Sequence, residues 1–247
     1  MVYTIPVQIS SIQLIIRCQA LSIDDVCYFT RHQSNEKDQV NEEETITRLN
    51  IGGNDIGPNE IQNLANALTK NTTLTTLDLQ DNHIGDEGMQ YLCDALRKTL
   101  TLTTLNLRLN HIDDDGAEHL ANVLRTNKTL TTLDLWNNRV TGAGALCLAD
   151  ALRENTTVTK LDLGRNQIGM MGAKHLANML QTNSALTILD IGSNYIGDNG
   201  AEHLIHGLQM NKTLITLNLQ NNSINKNLIQ HINELIDKNT VSNKEKT

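Results

Sequence analysis

Histidine, cysteine and carboxylate residues recur at fixed intervals in this chain, so metal binding and acid–base catalysis are the first chemistries to weigh. His119, Cys147, His175, His203 and His231 follow one another at steps of 28 residues. A cluster of such side chains could hold zinc, but zinc needs its ligand atoms about 2 Å from one ion. With each residue on its own helix, neighbouring helices about 8–10 Å apart offer one ligand each at that height. The series therefore reads as inter-helix packing, and no metal is expected. Asp78, Asp134, Asp162 and Asp190 form a second series, interleaved with Asn50, Asn106 and Asn218. Paired carboxylates do acid–base work when their surroundings tune their pKa values. This regular ladder reads as open to solvent, with no pocket to tune it. It is expected to be an acidic-polar stripe, and no Ser/His/Asp or Cys/His set is identifiable. No catalytic residue and no enzyme activity are expected.

Two further patterns imitate known chemistry. Gly142-Ala143-Gly144-Ala145-Leu146-Cys147 resembles a dinucleotide loop, which would set a pyrophosphate on a helix N-terminus. Cys147 stands where the third glycine belongs, and no G-x-x-x-x-G-K-[ST] occurs, so no nucleotide cofactor is expected. Asn71, Asn127, Asn155 and Asn211 open N-x-T sequons. They share a column with Asn183 and Asn239, which are not sequons. The column falls just after each helix, where asparagine favours the left-handed turn that ends helices. That helix-ending role is the expected one.

Composition bounds the partners. The net charge is −8, which argues against nucleic acid, because phosphate binding needs a basic surface. Aromatics make up only 2% of the residues, so any core must be aliphatic. Cys18, Cys27, Cys93 and Cys147 are scattered without a C-x-x-C, which suggests neither a zinc site nor a disulfide framework but reduced thiols. No stretch approaches the roughly 18 apolar residues of a membrane span. The first 18 residues lack a basic leader, and Gln8, Ser10, Ser11 and Gln13 interrupt their apolar run. The expectation is a cytoplasmic protein, monomeric, with no membrane association.

The step of 28 residues organises the whole chain. L-x-L-x-x-N, or its Ile variant, begins at Leu49, Leu77, Leu105, Leu133, Leu161, Leu189 and Leu217, seven copies without an insertion. The asparagine column is Asn54, Asn82, Asn110, Asn138, Asn166, Asn194 and Asn222. A buried amide in every turn can satisfy backbone groups that a tight bend leaves open. Each asparagine is followed two residues later by Ile or Val, and then by Leu and Ala at helical spacing. Each copy is thus predicted to be a short strand, a turn, a helix and a return loop. Right-handed connections place the strands in one parallel sheet. Helices need about 8–10 Å each and strands about 4.8 Å, so the stack must curve with its sheet on the concave side and its helices on the convex side.

The pattern L-x-x-L-x-L-x-x-N-x-I-x-x-x-G resembles the leucine-rich repeat of the ribonuclease-inhibitor type, over about residues 45 to 240, and looks most like the repeat arrays of NOD-like receptors. The resemblance implies an α/β horseshoe that binds proteins, usually through its concave face. Three units are expected: an N-terminal extension over 1–44, a repeat domain over 45–240, and a disordered tail over 241–247. Within the extension, Ile12, Leu14 and Ile16 are candidates for strands that cap the first repeat. Residues 34–44, SNEKDQVNEEE, read as a mobile acidic loop.

Function should lie where the copies differ at exposed positions. The third inward-facing row reads Gly52, Gln80, Arg108, Trp136, Gly164, Gly192, Gln220, and the strand exits read Gly53, Asp81, Leu109, Asn137, Arg165, Ser193, Asn221. Trp136, the single tryptophan, falls in the central copy. Trp136, Arg108, Leu109, Lys160 and Arg165, with Asp134 and Asp162 beside them, form the candidate protein-binding site. Trp and Arg are the residue types most enriched at binding hot spots, and Gly164 and Gly192 are expected to leave bare backbone beside the ring. The plainer alternative sets Trp136 flat over Arg108 as an internal cation–π contact. The expected role is a non-enzymatic scaffold for a protein partner. Two others stay open. One is an enzyme regulator, similar to ribonuclease inhibitor or to the Ran GTPase activator. The other is a remnant of a larger receptor.

Overall fold

The computed structural model describes residues 12–15 and 46–244. The expectations for 1–11, for the acidic stretch 34–44 and for Cys18 and Cys27 lie outside the described residues. Eight parallel strands form one sheet in chain order: β1 (Ile12–Ile15), β2 (Ile46–Asn50), β3 (Thr76–Asp78), β4 (Thr104–Asn106), β5 (Thr132–Asp134), β6 (Lys160–Asp162), β7 (Ile188–Asp190) and β8 (Thr216–Asn218). Seven helices alternate with them from β2 onward: α1 (Pro58–Leu68), α2 (Gly85–Leu96), α3 (Asp114–Leu124), α4 (Gly142–Leu152), α5 (Gly169–Leu180), α6 (Gly197–Met210) and α7 (Lys226–Lys244). From β2 to β8 each residue pairs with the one 28 positions on, as in Leu105 with Leu133 and Leu133 with Leu161. β1 lies parallel beside β2, with one irregularity between Ile12 and Gln13.

The core follows from two periodicities meeting. Each strand turns alternate leucines inward, such as Leu133 and Leu135, while its helix presents a stripe such as Ala145, Leu148, Ala149 and Leu152; all are buried. The helix-opening glycines leave no room for a side chain, because the Ile or Val four residues earlier in the same repeat packs against each of them. A Cβ on Gly88 would stand 2.6 Å from the Ile84 Cγ2 and 3.5 Å from the Pro58 Cα. Among the described residues no helix is long and apolar enough to cross a membrane.

The helix-to-loop junctions carry the caps that the sequence supplies. Pro58 opens α1, and the Glu60 carboxylate accepts the Gly57 N–H at 3.0 Å. Asp113 and Thr141 cap α3 and α4 from their own side chains. Asp86 and Asp114 reach across instead, each accepting two backbone N–H groups at the start of the next helix unit.

Two stacked asparagine ladders join the repeats. In the first, Asn138 is buried, its Oδ1 accepting the N–H groups of Asn110 and Ile112 at 3.0 Å each. Its Nδ2 donates to the carbonyls of Leu107 at 2.9 Å and Leu135 at 3.0 Å. One amide therefore closes backbone groups of two successive repeats. The second ladder corrects the sequence expectation for the sequon column. None of Asn71, Asn127, Asn155, Asn183, Asn211 and Asn239 has a positive φ, and Asn211 is extended at φ −71°. All but Asn127 are buried. Asn155 is typical: its Oδ1 accepts from Thr157 and Val158 N–H, and its Nδ2 donates to the Leu124 carbonyl of the preceding repeat. Left-handed residues lie elsewhere: at the strand exits, where Gly53, Asp81, Leu109, Asn137, Arg165, Ser193 and Asn221 all have φ between 53° and 69°, and beyond them at Asp55, His111, Tyr195, Ser223, Gly85, Gly169 and Gly197. At the C-terminal end, α7 runs to Lys244, past the boundary expected at 240, so residues 241–244 are helical where a disordered tail was expected.

The first ladder is uneven. Asn110 keeps its two Nδ2 bonds, to Leu79 and Arg108 carbonyls, but its buried Oδ1 has no partner. Asn138→Ala, which strands bonds on both sides of its amide, should lower unfolding free energy by about 1–3 kcal/mol. Asn110→Ala should cost distinctly less. Urea denaturation of the two variants measures the difference, and equal losses would refute the bond assignment.

Candidate functional site

The concave face is built by the residues that alternate with the buried leucines. Its second row proves to be structural in every repeat. Asn50, Asp78, Asn106, Asp134, Asp162, Asp190 and Asn218 each accept, through Oδ1, the backbone N–H two residues on, at 2.9–3.1 Å. Only Asp and Asn place a carbonyl or carboxylate oxygen one carbon beyond Cβ, where it can close this turn. The row holds the strand end in shape just before the chain bends into its left-handed exit.

This row also corrects the expectation of an untuned, open ladder. Burial raises Asp162 from its ordinary 3.8 to about 6; the Gly164 N–H opposes the shift, and the carboxylates of Asp134 and Asp190 add to it. Burial raises Asp134 too, against the Trp136 N–H and the charges of Arg108 and Lys160. Asp134 forms an ion pair with Arg108 at 3.7 Å. Asp190 accepts a second bond, from Asn218 Nδ2 at 2.8 Å.

Trp136 sits on the exit side of Asp134, half-buried. The Arg108 guanidinium, from the preceding strand unit, stands 4.4 Å from its ring centroid, and that of Arg165, from the following unit, stands 5.1 Å away. Both are cation–π contacts. The internal contact weighed as the plain alternative is therefore present and is doubled by Arg165. Gly164 is not bare backbone. A Cβ there would meet the Trp136 Cδ1 at 2.8 Å, so the ring occupies the space that this glycine leaves. Of the seven candidate residues, the structure joins Trp136, Arg108, Arg165 and Asp134 in one contact set. Asp162 borders it through Gly164, while Lys160 is exposed at the start of β6 and Leu109 is half-buried in its left-handed exit.

The loops around His83, His111 and Arg139, which the sequence offers as the fallback binding surface, form a second arrangement along the edge just beyond the asparagine column, and their stacking is not legible from the sequence. His83 and His111 stack with centroids 5.4 Å apart and planes 3° from parallel. Asp55 lies 3.5 Å from His83 Nε2, and Arg139 Nη2 lies 3.1 Å from His111 Nδ1. The one signal for it was the 28-residue spacing of these four positions. Rings this parallel cannot aim two nitrogens at one ion, which must lie about 2 Å from each. The helix series His119, Cys147, His175 and His203 is half-buried between neighbouring helices and His231 is exposed. No three His, Cys, Asp or Glu side chains among the described residues converge on a point. Burial pushes the Cys93 thiol up to about 12, which leaves it unreactive.

A regular strand–turn–helix repeat, closed by stacked amides, defines a curved repeat solenoid. The chain belongs to the leucine-rich repeat family, whose model matches residues 44–65, 70–93, 100–121, 126–149, 154–177 and 182–204, more than half of the sequence. Comparison with curated proteins finds no match. Among solved structures, it is similar to actin-binding site 2 of leiomodin-1, with 19% identity, 91% of this chain and 92% of that one covered, and a TM-score of 0.44. It is similar to the tropomodulin C-terminal domain of Caenorhabditis elegans, with 13% identity, 75% and 96% covered, and a TM-score of 0.47. Pollen receptor kinase 3 gives 16% identity, 76% and 79% covered, and 0.43.

The raised Asp162 gives a stability signature. Between its unfolded value of 3.8 and its folded value of about 6, the native state holds a proton that the unfolded chain has released. Stability from this group is therefore full below the lower value and is lost as pH rises through the upper one. Asp162→Asn cannot ionise but keeps an oxygen for the Gly164 N–H. The variant should melt about 2 °C above wild type near pH 7.5, after allowing for solvent screening at this half-open site, and show little gain near pH 4. Thermal melts at both pH values decide it; an equal shift at both would remove the burial argument.

Proposed function

We propose that this chain is a non-enzymatic scaffold that holds a protein partner on its concave face, centred on Trp136. The observation that carries this reading is the arrangement of the ring itself. It is the single tryptophan of the sequence, in the central repeat, on the wet side of the sheet, with the guanidiniums of Arg108 and Arg165 at 4.4 and 5.1 Å from its ring centroid. A large aromatic held by stacking presents contact area at little further entropic cost when a partner arrives. Tryptophan and arginine are also the residues whose truncation most often costs binding energy. The open row of polar side chains around it suits a partner that lies across several strands rather than a small molecule, which needs an enclosed cavity. The ribonuclease-inhibitor type of repeat and a cytoplasmic setting belong to the same reading. They are supported by the uninterrupted 28-residue period and by the buried, unpaired Cys93 and half-buried Cys147.

The test is capture. Wild-type protein and Trp136→Ala should be immobilised and challenged with the same cell extract, and retained proteins compared. Trp136→Ala should lose about thirtyfold or more of its affinity for the specific partner, as expected for a hot-spot truncation of at least ~2 kcal/mol. Retention of the same partner by Trp136→Ala at full strength would move the binding surface off this face.

A further inference from the structure

We propose that the seat beside Trp136 receives an acidic side chain: a glutamate or aspartate on an exposed segment of the protein partner, taken by the guanidinium of Arg165. This rests on the concave-face reading above and names the partner's chemistry.

Each acceptor of this face already takes a backbone N–H through its Oδ1. Every second-row carboxylate closes its own backbone turn, Asp134 also faces Arg108, and Asp190 also takes the Asn218 amide. Asp162 accepts the Gly164 N–H at 2.9 Å. The donors are not equally engaged. Arg108 spends its charge on Asp134. Arg165 is exposed and stacks on the same ring, yet it has no carboxylate within ion-pair distance among the described residues. The neighbouring positions along the strand exits and the edge beyond them are Asn137, Ser193, Arg139, Gln167 and Tyr195, none of them acidic. Although the whole chain is acidic, the exit and edge positions flanking Arg165 carry no carboxylate.

Stacking makes this guanidinium a prepared receptor. A planar fork lying over an aromatic ring keeps its N–H edges outward, and these match a carboxylate bidentately. Because the ring restricts the arginine, less side-chain freedom is lost on docking. Tyr195, 79% exposed on the same edge, adds an aromatic with a free rim for the partner's main chain. A basic partner would meet two guanidiniums at the ring.

Trp136 reports the test directly, being the single tryptophan. The full chain should be titrated with three synthetic peptides of equal length, rich in glutamate, glutamine or lysine, while Trp136 emission is followed. The glutamate peptide should shift the emission saturably, and its affinity should fall steeply with added salt. Arg165→Gln should weaken it about tenfold or more, Arg165→Lys should restore part of the loss, and Arg125→Gln, at the far end of α3, should leave it unchanged. Equal binding of the glutamine peptide, or an unchanged affinity in Arg165→Gln, overturns the proposal. So does a silent spectrum with the glutamate peptide. If the lysine peptide alone binds and needs Trp136, the acidic partner is wrong while the concave-face reading stands. If Trp136→Ala also captures its partner at full strength, the face itself is wrong.

Discussion

A strand that bends sharply out of its sheet leaves N–H and C=O groups that neither strand nor helix can close, and burying them unpaired costs about as much as losing the bonds outright. Stacked asparagine amides meet that constraint in this protein. Each buried amide of the Asn82–Asn222 series accepts from one repeat and donates to the carbonyls of two, or donates alone at Asn110. The bond requires the neighbouring repeat to sit one strand spacing away in the same register. The uniform length of the repeat, the parallel pairing and the curvature all depend on it. An inserted residue would take an amide out of reach of its partners and leave four backbone groups stranded at once.

With the backbone secured from behind, the exposed columns are free to vary. The face that bears Trp136 uses that freedom unevenly. Its second row still answers to the backbone, through the turn each Asp or Asn closes, while the third row and the exits hold Gly, Gln, Arg and Trp in the same geometry. The left-handed exit is imposed on Leu109 and Arg165 as on Gly53, though only glycine adopts it without steric cost. The stacked guanidiniums and the ring are therefore ordered by a frame that does not depend on them.

Much of this could be read from residue spacing. The strand, turn and helix of each repeat, the buried leucine columns and the structural nature of the asparagine column follow from period and residue type alone, because periodicity says which face a side chain takes. It does not say where a long side chain lies once there. That Trp136 leans over Gly164 and gathers a second arginine depends on contacts between repeats, and alternation within one repeat is silent on those. The carboxylate row looked solvent-open for the same reason: burial of Asp162 comes from neighbours on both sides. Conformational preference suggests a left-handed role for asparagine after each helix, whereas hydrogen bonding to the N–H groups two and three residues on decides its place. The end of α7 was misjudged because its polar last turn carries no hydrophobic signal.

The junction between the second and third complete repeats differs from the rest. Asn110 Oδ1 is orphaned there, and Asn127 Nδ2 reaches the Leu96 carbonyl only at 3.4 Å, where its counterparts at Asn155, Asn183 and Asn211 come within 2.7–2.8 Å. One position earlier in the second ladder, Thr99 replaces asparagine and bonds back into its own helix, at Ala95. In a one-dimensional stack the free energy is a sum over neighbouring pairs. A chain with one weak coupling does not melt as a uniform rod. It behaves as two cooperative blocks in series, and the block carrying Trp136 lies wholly on the stronger side of the seam, insulated from fraying at the N-terminal edge.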